Sequence, residues 1–259
     1  MAIVKTYIGQ TGSKVESAGR PVLYCNRTSW LSAYDLTLAE GTHARELGSR
    51  LSWRSRVGWR VAPQVIHFVA KVAWRLRIDY GNGFPDPPFV IAANHHSFLD
   101  PPIVGATYRR RLRFLTLIDL FGNYRSLDLA LRTFEVIKVR RGVIPFGALR
   151  QALDHLGDGG VVAVFPEGTR AWRFGDKPIA IGAAWLAVRA KVPLVPIAIA
   201  GTEQVLGVDN KLRRGRIRAF VGPALYPDGT GRSAAEELTR RWADWVGSRL
   251  RSSAKPNAI

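Results

Sequence analysis

Apolar residues come along this chain in two rhythms. Short runs rich in β-branched residues, Val90 to Ala93, Phe114 to Ile118, Phe134 to Val139, Val161 to Phe165, Val192 to Ile199 and Ile217 to Val221, predict strands. Between them lie stretches whose apolar positions recur at three and four residues: Pro101 to about Tyr108, Tyr124 to Arg132, about Pro145 to Leu156, Ile181 to Val188 and Ser233 to Leu250. These predict helices, the last opening with Glu236 and Glu237 and burying Leu238, Trp242, Trp245, Val246 and Leu250. Strand alternating with helix is the βαβ rhythm. It predicts an α/β fold, a mostly parallel mixed sheet flanked by helices whose strand ends face one crevice.

Leu51 to Ile78 has a different character. Leu51, Val57, Val61, Val65, Phe68, Val72 and Leu76 interleave with Arg54, Arg60, Lys71, Arg75 and Arg77, and Trp53 and Trp59 stand near its start. Pro63 predicts a division into two helices. Indole suits the headgroup level and guanidinium pairs with lipid phosphate, so this segment is expected to lie on a membrane rather than only cover the domain's own core. Residues 1–50 show no usable periodicity. The expected organisation is a variable extension at 1–50, an amphipathic membrane-contact segment at 51–80, a catalytic domain at 81–253 and a tail at 254–259.

Composition sharpens this picture. With 259 residues, 47% of them hydrophobic, the chain can bury a large core and is not a disordered protein. Its 38 Lys+Arg against 20 Asp+Glu give a net charge of +18, a field that attracts membranes, phosphorylated substrates or nucleic acid alike. A single cysteine, Cys25, excludes an internal disulfide and a cysteine-rich metal site. The first 30 residues lack the apolar core of a secretory signal, and no run reaches the ~20 apolar residues of a membrane span.

The chemistry concentrates where Val90 to Ala93 gives way to Asn94-His95-His96-Ser97-Phe98-Leu99-Asp100-Pro101-Pro102. Asp before Pro starts a helix, with Asp100 as N-cap and Pro101 as the first helical residue. His95 then occupies a tight turn in which Asp100, five residues on, can reach the imidazole. Such a pair offers a base near neutral pKa and an anion that fixes its tautomer. Ser97 as a nucleophile is disfavoured because no elbow motif surrounds it. Taken alone, His-x4-Asp is a common pattern, but Phe165-Pro166-Glu167-Gly168-Thr169-Arg170 and Val192-Pro193-Leu194-Val195-Pro196 follow it at two further strands.

Asn94-His95 with Asp100, then the FPEGTR hexapeptide and the Val-Pro-x-Val-Pro strand, together resemble the lysophospholipid acyltransferases, the PlsC-like or 1-acyl-glycerol-3-phosphate acyltransferase family. The resemblance covers about residues 60–225. It implies an O-acyltransferase that moves a fatty acyl chain from acyl-CoA or acyl-carrier protein to a hydroxyl of a lysophospholipid or related glycolipid, in membrane phospholipid synthesis. His95 and Asp100 would be catalytic, and Asn94, Arg140, Glu167, Gly168, Thr169 and Arg170 substrate-binding. No metal and no resident cofactor is implied. The expected partners are a membrane lipid acceptor, an acyl thioester and an anionic membrane surface, without nucleic acid, at the cytoplasmic face of a membrane as a peripheral or monotopic protein. Two departures bear on the acceptor. Members that act on glycerol phosphates often carry lysines where this chain has Leu117-Ile118-Asp119 and Ile179-Ala180-Ile181-Gly182. The alternatives are a (thio)ester hydrolase, in which water replaces the acceptor, and a non-catalytic basic protein that binds membrane or nucleic acid.

Overall fold

The computed structural model describes residues 53–117, 134, 136–139, 146–207 and 209–254. The predicted helix at Tyr124 to Arg132, the extension 1–50, Arg140 and the tail from 255 lie outside them. The described elements are α1 (Trp53–Trp74), β1 (Arg77–Asp79), β2 (Phe89–Ala93), α2 (Asp100–Tyr108), β3 (Arg113–Leu117), β4 (Ile137–Val139) and α3 (Phe146–Gly157). There follow β5 (Val161–Val164), α4 (Gly182–Ala190), β6 (Leu194–Ala200), α5 (Thr202–Val205), β7 (Arg218–Val221) and α6 (Gly231–Ala254).

Seven strands form one sheet in the order β1-β7-β6-β2-β5-β3-β4. Every neighbouring pair is parallel except β6 with β7, so the two strands at the β1 edge run against the other five. The fold is therefore the mixed, mostly parallel α/β sheet that the alternating pattern predicts. β2 sits between β5 and β6 and is buried along its whole length. Its period of two divides it cleanly: Val90 and Ala92 face a core made with α3, α4 and α6, while Phe89, Ile91 and Ala93 face one shared with α1 and α2. From α6, the buried Trp242 donates its Nε1–H to the Ala92 carbonyl at 2.8 Å, fixing the back of the central strand beneath the turn that follows it.

Two predicted details differ. α1 runs unbroken through Pro63. Proline in a helix interior forfeits one hydrogen bond and crowds the preceding turn; here Pro63 is itself buried on the face where Trp59 and Ala70 pack, which offsets that cost. Asp100 is the first residue of α2 rather than its cap, and no side chain caps that helix. Pro101 and Pro102 have no N–H to be capped, and the Ile103 N–H already bonds to the Leu99 carbonyl at 3.0 Å. The Asp100 carboxylate is thereby free to point back into the turn.

Candidate active site

The register of the two central strands sets the site. Ala92 and Val164 are Cα partners, and His95 and Glu167 each stand three residues further on, at the carboxyl edge of adjacent parallel strands. That is the crevice position of an open α/β sheet. The FPEGTR loop and the histidine turn are locked together through the backbone of His95. Its N–H donates to Glu167 Oε1 at 2.8 Å, and its carbonyl accepts the Ala171 N–H at 3.0 Å.

His95 Nδ1 lies 3.0 Å from Asp100 Oδ2. The same oxygen accepts the backbone N–H groups of His96 and Ser97, each at 2.6 Å, while Oδ1 accepts the Thr202 hydroxyl at 2.6 Å. Asp100 is fully buried, and four donors hold its charge and its orientation. Phe165 stacks under the imidazole at 4.4 Å between centroids and 25° between planes. With Nδ1 turned to Asp100, Nε2 is the nitrogen left to meet a substrate, and the ring keeps 17% of its surface open.

Glu167 is buried and its Oε2 has no hydrogen-bond partner among the described residues. Burial pushes its carboxyl up to about 7, against the pull of the His95 N–H, which favours the anion. Beside it, His96 lies 3.7 Å from Glu203 through Nδ1. Burial works against a proton on His96, but the Glu203 interaction and the carboxylates of Glu167 and Asp100 outweigh it and raise its pKa. For Glu203 burial again works against the charge, and His96 with the Gly201 N–H holds its pKa below the ordinary value.

The other sequence-predicted residues fall into separate places. Asn94 is buried and bonds Ile199 in both directions, Nδ2 to the carbonyl at 2.8 Å and Oδ1 from the N–H at 2.7 Å, so it ties β2 to β6 where the sequence suggested substrate contact. Gly168 is exposed at the loop tip with φ +64°, a left-handed conformation that favours glycine, and Thr169 is half-buried beside it. Arg170 places its guanidinium 3.6 Å above the Phe98 ring and donates to Asn210 at 2.8 Å. Ser97 is buried, with its hydroxyl donated to the Leu206 carbonyl and accepting the Leu99 N–H, which removes it as a nucleophile. The Val-Pro-Leu-Val-Pro stretch runs into β6 and packs in the sheet's interior.

Thr202, Glu203 and Leu206 were not singled out by the sequence. Their signal was positional: Gly201-Thr202-Glu203 follows a third strand at the same edge, and residues there belong to the crevice whatever motif they lack. Among the described residues no group of His, Cys, Asp or Glu is arranged to hold a metal ion.

The family model described as Acyltransferase matches residues 76–200. A 1-acyl-sn-glycerol-3-phosphate acyltransferase of Chlamydomonas reinhardtii is 34% identical over 152 residues, 56% of this chain and 44% of that one. One from Pseudomonas aeruginosa is 30% identical over 167 residues, 62% of this chain and 63% of that one. The chain thus spans less than two thirds of the length of these relatives. The crystal structure of the 1-acyl-sn-glycerophosphate acyltransferase PlsC from Thermotoga maritima superposes with a TM-score of 0.63 over 80% of this chain and 86% of that one, at 22% identity, a likeness of fold. The matched segment takes in β2, the histidine turn, the FPEGTR loop and β6 as one unit, and it is over this segment that the chain is similar to the 1-acyl-sn-glycerol-3-phosphate acyltransferases.

Proposed function

We propose that this protein transfers a fatty acyl chain from a thioester, acyl-CoA or acyl-carrier protein, to a hydroxyl of a lysophospholipid or related glycolipid in membrane lipid synthesis. The observation that carries the reading is the His95–Asp100 pair, with the carboxylate held by three further donors and the imidazole set on Phe165. Nε2 of His95 takes the proton of the acceptor hydroxyl as its oxygen attacks the thioester carbonyl. The C–O bond forms, the C–S bond breaks, and the imidazolium returns its proton to the departing thiolate. Asp100 stabilises that imidazolium and keeps Nδ1 protonated. The relatives are named for 1-acyl-sn-glycerol-3-phosphate. The missing lysines at 117–119 and 179–182 keep the acceptor here to the wider lysolipid and glycolipid class.

The same reading puts the protein on the surface of a membrane, at its cytoplasmic face. It is supported by α1, which packs on α2 through Trp59 and Ala70 yet leaves Val57, Val61, Val65, Phe68, Val69 and Val72 exposed, beside exposed Arg60 and Lys71. No helix among the described residues is long and apolar enough to cross a bilayer.

Incubation of the purified protein with labelled acyl-CoA and a panel of lysolipids and glycolipids tests the activity. The expected product is acylated lipid, reduced by ~10²–10⁴ in His95→Ala. Release of free fatty acid instead would identify a hydrolase, and full transfer by His95→Ala would overturn the assignment.

A further inference from the structure

The rim of the His95 cleft carries apolar side chains that acyl transfer does not use. Phe98, Trp172 and Leu212 are 42%, 53% and 68% exposed. They come from three segments: Phe98 from the histidine turn, Trp172 from two residues beyond the FPEGTR loop, and Leu212 from the stretch after α5. The structure gathers these segments into one patch. Arg170 stacks on Phe98 and bonds Asn210. Trp172 rests against Gly207, where a Cβ would stand 3.0 Å from Cζ3 of the indole. Leu206 pairs with Leu212 across an antiparallel bridge, and the Arg213 N–H donates to the Val205 carbonyl at 2.7 Å. The patch is also fastened to the catalytic turn, through Ser97 to Leu206 and through Asp100 to Thr202 at the start of α5.

Charge says what such a patch meets. Arg173, Lys211, Arg213, Arg214 and Arg216 are all exposed on these same segments. From 207 to 216 the one acid is Asp209, and it is engaged by the Arg213 guanidinium and the Lys211 N–H. The apolar side chains of the patch are exposed among these cations. A protein interface is centred on a buried, close-packed apolar core; tryptophan and leucine projecting among lysines and arginines suit the boundary between headgroups and acyl chains.

We infer that this rim is a second membrane-contact surface, in which Trp172 and Leu212 enter an anionic bilayer while the surrounding basic side chains meet lipid phosphates. The opening of the cleft is thereby pressed against the lipid surface. The inference rests on the membrane reading above and adds a contact separate from α1. It gives Trp172 and the basic segment 211–216 a role that the reaction itself does not need.

A fluorophore sensitive to its surroundings, attached at Leu212→Cys in full-length Cys25→Ser protein, tests it. The same label at Asp158→Cys, exposed just before β5 and so at the opposite edge of the sheet, is the control. Vesicles of phosphatidylglycerol and phosphatidylcholine are expected to blue-shift the label at 212 and leave that at 158 unmoved. Trp172→Ala with Leu212→Ser, α1 intact, is expected to weaken vesicle binding at least fivefold. Sedimentation with vesicles while the label at 212 stays unshifted would overturn the inference and leave the membrane reading standing. Absence of any sedimentation would remove both. An equal shift at 158, a response to an acidic carrier protein and not to vesicles, or undiminished binding by the double variant would each overturn it.

Discussion

α1 and α6 are two long helices, of 22 and 24 residues, each with an apolar stripe and several arginines, and they meet opposite fates. α6 buries Ala234, Ala235, Leu238, Trp242, Ala243 and Val246 against the core shared with α4, and its Trp242 reaches the central strand. α1 buries Trp59, Pro63 and Ala70 but holds a row of valines and Phe68 in the open. The contrast teaches that an amphipathic period predicts a helix without naming what covers it. A stripe that the fold covers contributes stability, whereas one left open contributes only when something outside the chain meets it.

Tests of this contrast run from the sealed side of the molecule to the open one. The largest effect is expected at Trp242→Ala, which leaves a cavity against the central strand: a loss of ~3–5 kcal/mol of stability, read by denaturant unfolding followed by circular dichroism. A loss below 1 kcal/mol would mean that α6 is not the sealed helix described.

Glu167 comes next, because a carboxyl with a pKa of about 7 in the folded state and 4.5 as its ordinary value holds a native proton that the unfolded chain has released. Stability from this group is present in full below pH 4.5 and is lost as pH rises towards 7, by on the order of 3 kcal/mol. Glu167→Gln keeps an acceptor for the His95 N–H, and should flatten thermal stability over that pH window; an unchanged slope would assign the pH dependence elsewhere.

At Thr202→Val the buried Asp100 Oδ1 loses its donor, for a cost of about 1–3 kcal/mol. With the carboxylate less firmly held behind His95, kcat should fall while KM changes little, and Thr202→Ser should restore kcat. A variant that loses stability with kcat unchanged would leave Thr202 a merely structural role.

The smallest effect on folding belongs to α1. Val61, Val65 and Val72 changed together to Ser should alter stability by no more than ~0.5 kcal/mol per site while vesicle binding falls at least tenfold. A stability loss comparable to that of Trp242→Ala would show that the stripe packs within the protein.

Much of this was legible in the linear chain, where local rules act. Strand β2, helix α2 and the loop after β5 announced themselves because β-branched runs, Asp-Pro and Pro-Glu-Gly are short-range signals. His95 and Asp100 could be paired from spacing because the turn between them is local. Misreadings arose where a distant segment decided the outcome. Pro63 continues a helix because the face it stands on is buried against α2, and Asn94 is held by Ile199, 105 residues away.

By itself, then, the sequence determined the alternation of elements, the histidine and carboxylate of the turn, and the excess of positive charge, each through contacts or sums that need no knowledge of neighbours. Only the tertiary structure decided that Thr202 completes the Asp100 anchorage, that Glu167 and Ala171 clamp the His95 backbone, and that Phe98, Trp172 and Leu212 share a rim. The reason is physical: parallel pairing sets the register of strands far apart in the chain, and that register chooses which loops meet at the edge of the sheet.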